Sequence, residues 1–551
     1  MNALAATGSV LGSAGLALLY VAPRRDLRIA GLAAWAAGLG CLALYLLPDV
    51  TTTVLAAAAV AGLVVACVGG WALLRWPYLL AFATLACLPA RIPVRLGSED
   101  TNLLLPLYAV VGSLALALAW QLVVRRDGRS RELGPIALPL GAFIAWTGLA
   151  LTWTAGLRDG AIFVGAFLLP FGLLAVGFAR LPWRGRLLTW LWAGLIGSAL
   201  VFATVGLYQW VTRDIFWNPG VIVGNAYAPF FRVNSIFWDP SIYGRYLTVG
   251  ILTALAGILL GVARGWRLAG LYLVVVTMWF GLLLSYSQSS FVALSVGIVV
   301  ASFVVWRWRA VVSAVALVVA FAAVSAAVPS LRARAENKSR AGVNAITSGR
   351  ANLVNQGIRI AFDHPVLGVG VGGFKRVYAD RTGLQGRDPK KAASHTTPVT
   401  VAAEEGVIGL ALFVWLLAVA AIATLSRLGF GFTSRVSLAV GVSLVAIAAH
   451  SLFYNAFFED PLTWALLGLV GVVVTVPRKT APALAPSAVA LPDGEREERS
   501  EDDAGQRIDQ VRDLEHPAEE EQQEDGGRES RSAEPEQAGP QLRSNEDGRH
   551  R

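Results

Sequence analysis

An all-α polytopic membrane protein is what this chain predicts, and three observations predict it. Apolar runs near 20 residues recur from Val10 to Val476, each long enough as a helix to cross a hydrocarbon core of about 30 Å. Hydrophobic residues make up 55% of the chain and charged residues 15%, where soluble domains carry about 45–50% and 25%. The runs do not alternate and are far longer than barrel strands, which leaves helices as the spanning element.

In chain order the expected spans are 8–22, 28–47, 52–74, 76–90, 102–124, 136–153, 160–179, 187–211, 239–262, 268–284, 289–305, 310–329, 397–425, 436–455 and 460–476. The first and fourth have the weakest pattern, so the bundle is expected to hold about 12–15 helices. Alternate connections carry the basic residues: Arg24/Arg25/Arg28, Arg75, Arg125/Arg126/Arg129/Arg131, Arg180/Arg184/Arg186, Arg264/Arg267, Arg307/Arg309, Arg427/Arg435 and Arg478/Lys479. The other short connections hold only Arg91, Arg95 and Arg158. Short cytoplasmic loops retain Lys and Arg, so the first set is expected inside and the N-terminus outside, retained as a span and not cleaved as a leader. Thr212–Trp238 and the loop Ser330–Thr396 then fall outside.

The formal charge of +9 joins two unlike parts. Residues 481–551 hold nine Arg and twenty Asp/Glu, a net of −11, which leaves +20 on residues 1–480. Beyond Pro492 the tail has almost no aliphatic residues to bury, and it reads as a disordered acidic cytoplasmic segment. The expected organisation is N-terminal spans over 1–199, a functional core over 200–480 with the loop 330–396, and the tail 481–551. Cys41, Cys67 and Cys87 lie inside apolar runs and read as small core residues, neither a disulfide framework nor a metal site. A basic character that belongs to loops at a bilayer surface does not imply nucleic acid.

The one long polar interruption, Ser330–Glu405, is basic and Gly-rich, and the working surface is expected there. Four clusters carry candidate chemistry. FFRVNSIFWDPSIYGRYL places Arg232, Asp239, Tyr243 and Arg245 at the start of a span, where charge is costly and faces a bundle interior, a polar cavity or the headgroups. LLLSYSQSSFVALSVG is a polar knot of Ser285, Ser287, Gln288, Ser289 and Ser290, which taken alone reads first as a tight outside turn with capped helix ends. SGRANLVNQGIRIAFDHPVLGVGVGGF predicts a short amphipathic helix from near Arg350 to before Pro365. Its Gly368, Gly370 and Gly373 fit GxGxxG without the strand and helix of a dinucleotide site, so they are expected to let backbone approach a ligand. SHTTPVTVAAEEGVIGL leads into a span and holds His395, which can take a proton near neutral pH or serve as a structural hydrogen-bonding residue. His364 and His450 are expected to be structural, and the group Tyr454, Glu459 and Asp460 to border a cavity or form a helix contact.

In this order and spacing the clusters resemble the O-antigen ligase and O-antigen polymerase superfamily of bacterial membrane proteins, over roughly residues 200–476. The family's Arg segment before a span corresponds to Arg232–Phe237, and its Ser-Arg motif to Ser287-Gln288. Its loop Arg and "hPllGvGxgxF" segment correspond to Arg350 and His364–Phe374. Its His, acidic residue and Gly correspond to His395, Glu405 and Gly406. The resemblance implies a glycosyltransferase with a GT-C-like helical fold in the bacterial cytoplasmic membrane. Such an enzyme takes glycan from a polyprenyl-pyrophosphate carrier at the outer face and passes it to a lipid or glycan acceptor. It implies His395 as base or acceptor-positioning group. It also implies Arg232, Arg245, Gln288, Arg350 and Glu405 as substrate-binding residues, Arg being suited to pyrophosphate by its fork and fixed charge.

Gln288 departs from the family Arg. Either Arg232 or Arg245 supplies that charge, or another donor is handled, or transfer has been lost. No cofactor is expected, and metal-independent transfer is expected because outside carboxylates are few and scattered. The alternative function is a multi-span transporter of solutes or lipid-linked sugars without transferase activity, against which the sequence has no inverted halves and few mid-span charges. A third is a scaffold whose tail recruits partners.

Overall fold

A chain segment in hydrocarbon must satisfy its own backbone groups, and the apolar runs do so as helices. The computed structural model describes residues 2–47, 50–96, 99–183, 186–227, 230–261, 263–310, 312, 350–383, 395–426 and 432–475. The acidic tail, the span 310–329 apart from its first residues, and most of the basic stretch up to Arg350 lie outside the described residues, as does the side chain of Arg350.

The helices are α1 Asn2–Val21, α2 Arg25–Leu46, α3 Thr52–Arg75, α4 Leu79–Cys87, α5 Leu105–Val123, α6 Gly134–Trp153, α7 Leu157–Arg180, α8 Leu187–Thr212, α9 Pro219–Tyr227, α10 Pro240–Leu259, α11 Trp266–Ser285, α12 Gln288–Trp306, α13 Arg350–Asp363, α14 Phe374–Thr382, α15 Thr397–Leu425, α16 Phe432–His450 and α17 Pro461–Thr475. Among the described residues eleven are long and apolar enough to cross a membrane, and the apolar α16 and α17 are shorter. The protein is therefore an all-α polytopic membrane protein.

Some expected spans resolve differently. The segment 76–90 is only the nine-residue α4. Beyond it the expected short connection is an antiparallel hairpin, β1 Ile92–Leu96 and β2 Glu99–Leu103, with Val94 opposite Thr101. The segment 212–238 contains the short helix α9, none of whose residues is buried. Cys67 is exposed on α3, which buries only Gly70 and Leu73, so it is not a core residue.

Burial ranks the helices. α7 and α10 are enclosed along most of their length, whereas α3, α8 and α11 present most of their surface outward. α17 packs along α7, where Gly468 lies against the Ala175 carbonyl. Small residues set other contacts as well: Gly12 of α1 meets Gly38 of α2 backbone to backbone, an approach that a Cβ would block.

The Gly471 end of α17 lies beside a charged network. Arg28, only 1% exposed, reaches Glu132 at 2.8 Å. Arg180 at the end of α7 pairs with Glu132 and, at 2.7 Å, with Asp127, and Asp127 also holds Arg129 at 2.7 Å. Gly471 sits against the Glu132 backbone. Buried charge in an apolar surround persists only when paired, so this network ties α2, α7, α17 and the connection after α5 together.

Burial opposes the charge on Asp127, but the hydrogen bonds from Arg129 and the proximity of Arg180 outweigh it and hold its carboxyl down at about 2, against an ordinary 3.8. A lowered pKa stabilises the fold above the unfolded value, and that stabilisation disappears as pH falls from 3.8 through about 2. The melting-temperature difference between native protein and Asp127→Asn is therefore expected to be constant down to about pH 5 and to close towards pH 2. A difference that stays the same at the acid end contradicts this.

Candidate functional site

The site is built on the connection Ser451–Asp460 between α16 and α17. Phe457 and Phe458 anchor it apolarly, Phe458 stacking on Phe143 at 4.6 Å and Phe457 meeting Phe413 edge-on at 5.3 Å. Asp460 caps α17 by accepting the Leu462 N–H at 2.9 Å, and its other oxygen lies 2.8 Å from Nε of Arg245. Arg245 is 1% exposed. It donates to the Ala456 carbonyl at 3.1 Å, and its guanidinium carbon is 5.8 Å from the Tyr454 ring centre. Arg91, from the connection between α4 and β1, donates to the Glu459 carbonyl at 3.0 Å.

Tyr454 reports what surrounds it. Burial pushes its phenol well above the ordinary tyrosine range; Asp239 and Glu459 add to that, and Arg91 and Arg245 oppose it. Burial also pushes the Glu459 carboxyl up, against the pull of Arg91 and Arg245. Two arginines and three carboxylates, including Asp460, thus meet at one end of the bundle.

The serine knot joins from the α11–α12 turn. Its hydroxyls do not cap the helix: Ser287 makes no side-chain cap bond. The Ser287 hydroxyl instead lies 2.8 Å from that of Ser290 and 3.2 Å from that of Ser289, whose Oγ is 3.0 Å from Nε2 of His450. Gln288 is exposed beside them. Arg232 docks on the same turn, its Nε donating to the Ser285 carbonyl at 3.1 Å. Its segment is folded tightly because Gln209 accepts the Ser235 N–H at 2.7 Å and donates to the Ser235 carbonyl at 2.9 Å.

His395 reaches the connection from the loop. The Thr397 N–H donates to the Ser451 carbonyl at 2.8 Å, tying the start of α15 to the residue after His450. His395, two residues earlier, is half-buried and adopts a left-handed φ of 58°. A β-carbon disfavours that region, and such strain gathers at working sites.

The glycine segment has a different role from the one its spacing suggested. Gly368, Gly370 and Gly372 have φ of 66°, 82° and 76°. What each meets is protein backbone, at Glu404, Thr154 and Gly160 respectively. Ala155 N–H donates to Val369 O at 3.1 Å, Val369 N–H to Ala403 O at 2.9 Å, and Gly370 N–H to Glu404 O at 2.8 Å. The glycines therefore clasp the loop between the α6–α7 turn and α15, and do not open space for a ligand. Glu404 accepts the Phe374 N–H at 3.1 Å. Gly406 breaks α15 with φ 68°, and the freed Val407 N–H goes to Pro365 O at 2.8 Å. Glu405 is 3% exposed and faces α6, 3.0 Å from the Thr147 hydroxyl.

The amphipathic helix expected from near Arg350 is α13. Its apolar face, with Ile358, Ala361 and Phe362, forms with Pro398, Val399 and Ala402 of α15 a groove of about 440 Å³ lined almost wholly by carbon. Pro398 is three residues from His395, so the groove runs up to the polar end of the bundle.

Of the expected site residues, Arg232, Arg245, Gln288 and His395 come to this one end, whereas Glu405 turns away into the α6 contact and Arg350 contributes a described backbone only. Arg91 was missed as a site residue. The signal was an Arg in a connection expected to be outside, where the charge rule leaves few. With that geometry in place, residues 273–414 match the family model for O-antigen ligase. No curated protein matches the chain.

Truncating Arg245 leaves Asp460 buried and unpaired, so Arg245→Met is expected to cost about 3–5 kcal/mol in denaturation from mixed micelles. Arg245→Met/Asp460→Leu is expected to regain most of that, and a double variant no better than the single contradicts the pairing. Gly406→Ala strains a positive φ against the Val366 carbonyl and is expected to cost at least about 1–3 kcal/mol. Gly62→Ala, where the surround is open, serves as the near-neutral comparison in the same measurement.

Proposed function

We propose, on the match of residues 273–414 to the O-antigen ligase family model, that the chain transfers or polymerises glycan from a polyprenyl-diphosphate carrier onto a hydroxyl of a lipid or glycan acceptor. The observation that carries this reading is a junction: a cluster of arginines, histidines and serines at one end of a multi-span bundle, continuous with an apolar groove of about 440 Å³. A lipid-linked anionic sugar has those two halves. Its hydrocarbon suits the α13–α15 groove, and its head group suits the charged end.

His395 is the base. It takes the proton of the acceptor hydroxyl as the oxygen attacks the anomeric carbon of the donor sugar. A C–O bond to the acceptor forms, the bond from that carbon to the phosphate oxygen breaks, and the carrier leaves as polyprenyl diphosphate. Arginine donors offset the charge that develops on the leaving group. Arg232 serves the head group, Arg350 is given the same role on the family pattern alone, Gln288 hydrogen-bonds without adding charge, and Arg245 holds the connection that frames the site. Glu405 acts at one remove, by setting the kink against which the loop docks. The reaction needs no metal in this account. The alternation of basic connections in the sequence supports a loop at the outer face of a bacterial cytoplasmic membrane and an acidic tail inside.

The test is transfer of a polyprenyl-diphosphate-linked oligosaccharide by purified protein in nanodiscs. His395→Ala is expected to lower kcat by about 10²–10⁴-fold with its melting temperature kept, as for loss of a general base. Ala402→Trp, which fills the groove, is expected to raise the donor KM more than it lowers kcat. Full transfer by a folded His395→Ala contradicts the mechanism, and solute flux in sealed vesicles without any lipid-linked sugar favours a transporter.

A further inference from the structure

Gln288 leaves the site one positive charge short of the family pattern, and Arg245 does not make up the difference. Its guanidinium is 1% exposed and already paired with Asp460 at 2.8 Å. A cation neutralised within the protein offers little to a dianion, because its field is offset at contact distance.

Arg91 is differently placed. Among the described residues it makes one side-chain hydrogen bond, to the Glu459 carbonyl at 3.0 Å, and no ion pair. One bond uses one of the five N–H donors of a guanidinium. The residue is half-buried, so its charge is not lost to bulk water, and its pull on the Glu459 carboxyl is exerted without an ion pair. Its field reaches Tyr454, as the fields of Arg245, Asp239 and Glu459 do. The Tyr454 ring lies 5.6 Å from that of His450, which bonds the serine knot next to Gln288. Arg91 thus borders the cluster in which Gln288 stands, yet it arrives on the connection after α4, far outside residues 273–414.

We infer that Arg91 is a further substrate-binding residue, whose guanidinium takes phosphate oxygens of the carrier's diphosphate head group and supplies the charge that Gln288 lacks. The inference rests on the proposed transferase reading for the identity of the ligand. The bond to Glu459 orients the fork, so that recognition of the anion and closure of the Ser451–Asp460 connection act together. Arginine is the right residue for this, since its planar donors meet two phosphate oxygens at once and it keeps its proton.

The experiment measures equilibrium binding of sugar-free polyprenyl diphosphate, and of the polyprenyl alcohol of equal chain length, to native protein, Arg91→Gln and Arg91→Lys in nanodiscs. Glycan transfer is measured on the same preparations. Arg91→Gln is expected to bind the diphosphate about tenfold or more weakly, the usual consequence of losing a charge-assisted pair. The alcohol is expected to bind all three proteins alike, and Arg91→Lys to recover part of the diphosphate affinity. Unchanged diphosphate binding by Arg91→Gln overturns the inference, and so does an equal loss for the alcohol, which signals a structural role. Diphosphate binding that depends on Arg91 in a native protein that transfers no glycan leaves the inference standing and overturns the transferase reading. Active transfer that Arg91→Gln does not slow, at limiting donor, overturns the inference alone.

Discussion

The buried pair Arg245–Asp460 is the interaction on which the rest of the site depends. It joins α10 to the start of α17, at 2.8 Å and out of contact with water. Two charges in such surroundings are stable only together, so the pair fixes where the intervening connection ends. Three polar contacts of the site then attach to that connection: Thr397 at Ser451, Arg245 at Ala456 and Arg91 at Glu459. Between these points Phe457 and Phe458 pin the chain into aromatic packing. A ten-residue connection between two apolar helices has become the frame against which side chains from four distant parts of the sequence are held.

The basic loop is fastened to the bundle mainly by backbone, with one ion pair, Lys375 to Asp159 at 3.6 Å, beside it. Glycines with left-handed φ press the loop against Thr154, Gly160 and Glu404, and the break at Gly406 gives α15 a free N–H for Pro365 to accept. Such contacts are short and directional, and no larger residue fits them. They deliver α13 alongside α15, which makes the apolar groove, and Thr397, beside the groove's Pro398, bonds the Ser451 carbonyl. Lipid tail and anionic head group have opposite demands on solvation. Placing carbon-lined and charged surfaces end to end answers both without burying an unpaired charge in the hydrocarbon.

The helical class and most spans were legible because length and hydropathy alone constrain a chain in hydrocarbon. The amphipathic helix was legible from Leu353 to Phe362, and its end from Pro365, for the same local reason. The gathering of Arg232, Gln288 and His395 was legible only through ordered motifs, since no local rule brings them together. What stayed hidden was pairing at long range. Arg91 and Glu459 are 368 residues apart and Arg245 and Ala456 are 211 apart, and neither separation leaves a trace in periodicity. The glycine spacing misled for a related reason. A positive φ is readable from Gly, but whether ligand or protein backbone fills the space beside it is decided by Thr154 and Gly160, in another part of the chain. The hairpin at 92–103 escaped because its strands are short and one contains Pro93, a residue that weakens any strand assignment.

The central claim is that one end of the bundle binds the diphosphate of a lipid carrier while the α13–α15 groove holds its hydrocarbon. The most direct measurement is a cryo-EM structure of the protein in nanodiscs with polyprenyl diphosphate bound. The account predicts density for the two phosphates between His395 and the Ser451–Asp460 connection, within hydrogen-bond reach of Arg91, with the polyprenyl chain leaving past Pro398 and Phe362. Phosphate density elsewhere on the bundle, or a chain that leaves by another face with the groove filled by protein side chains, contradicts it.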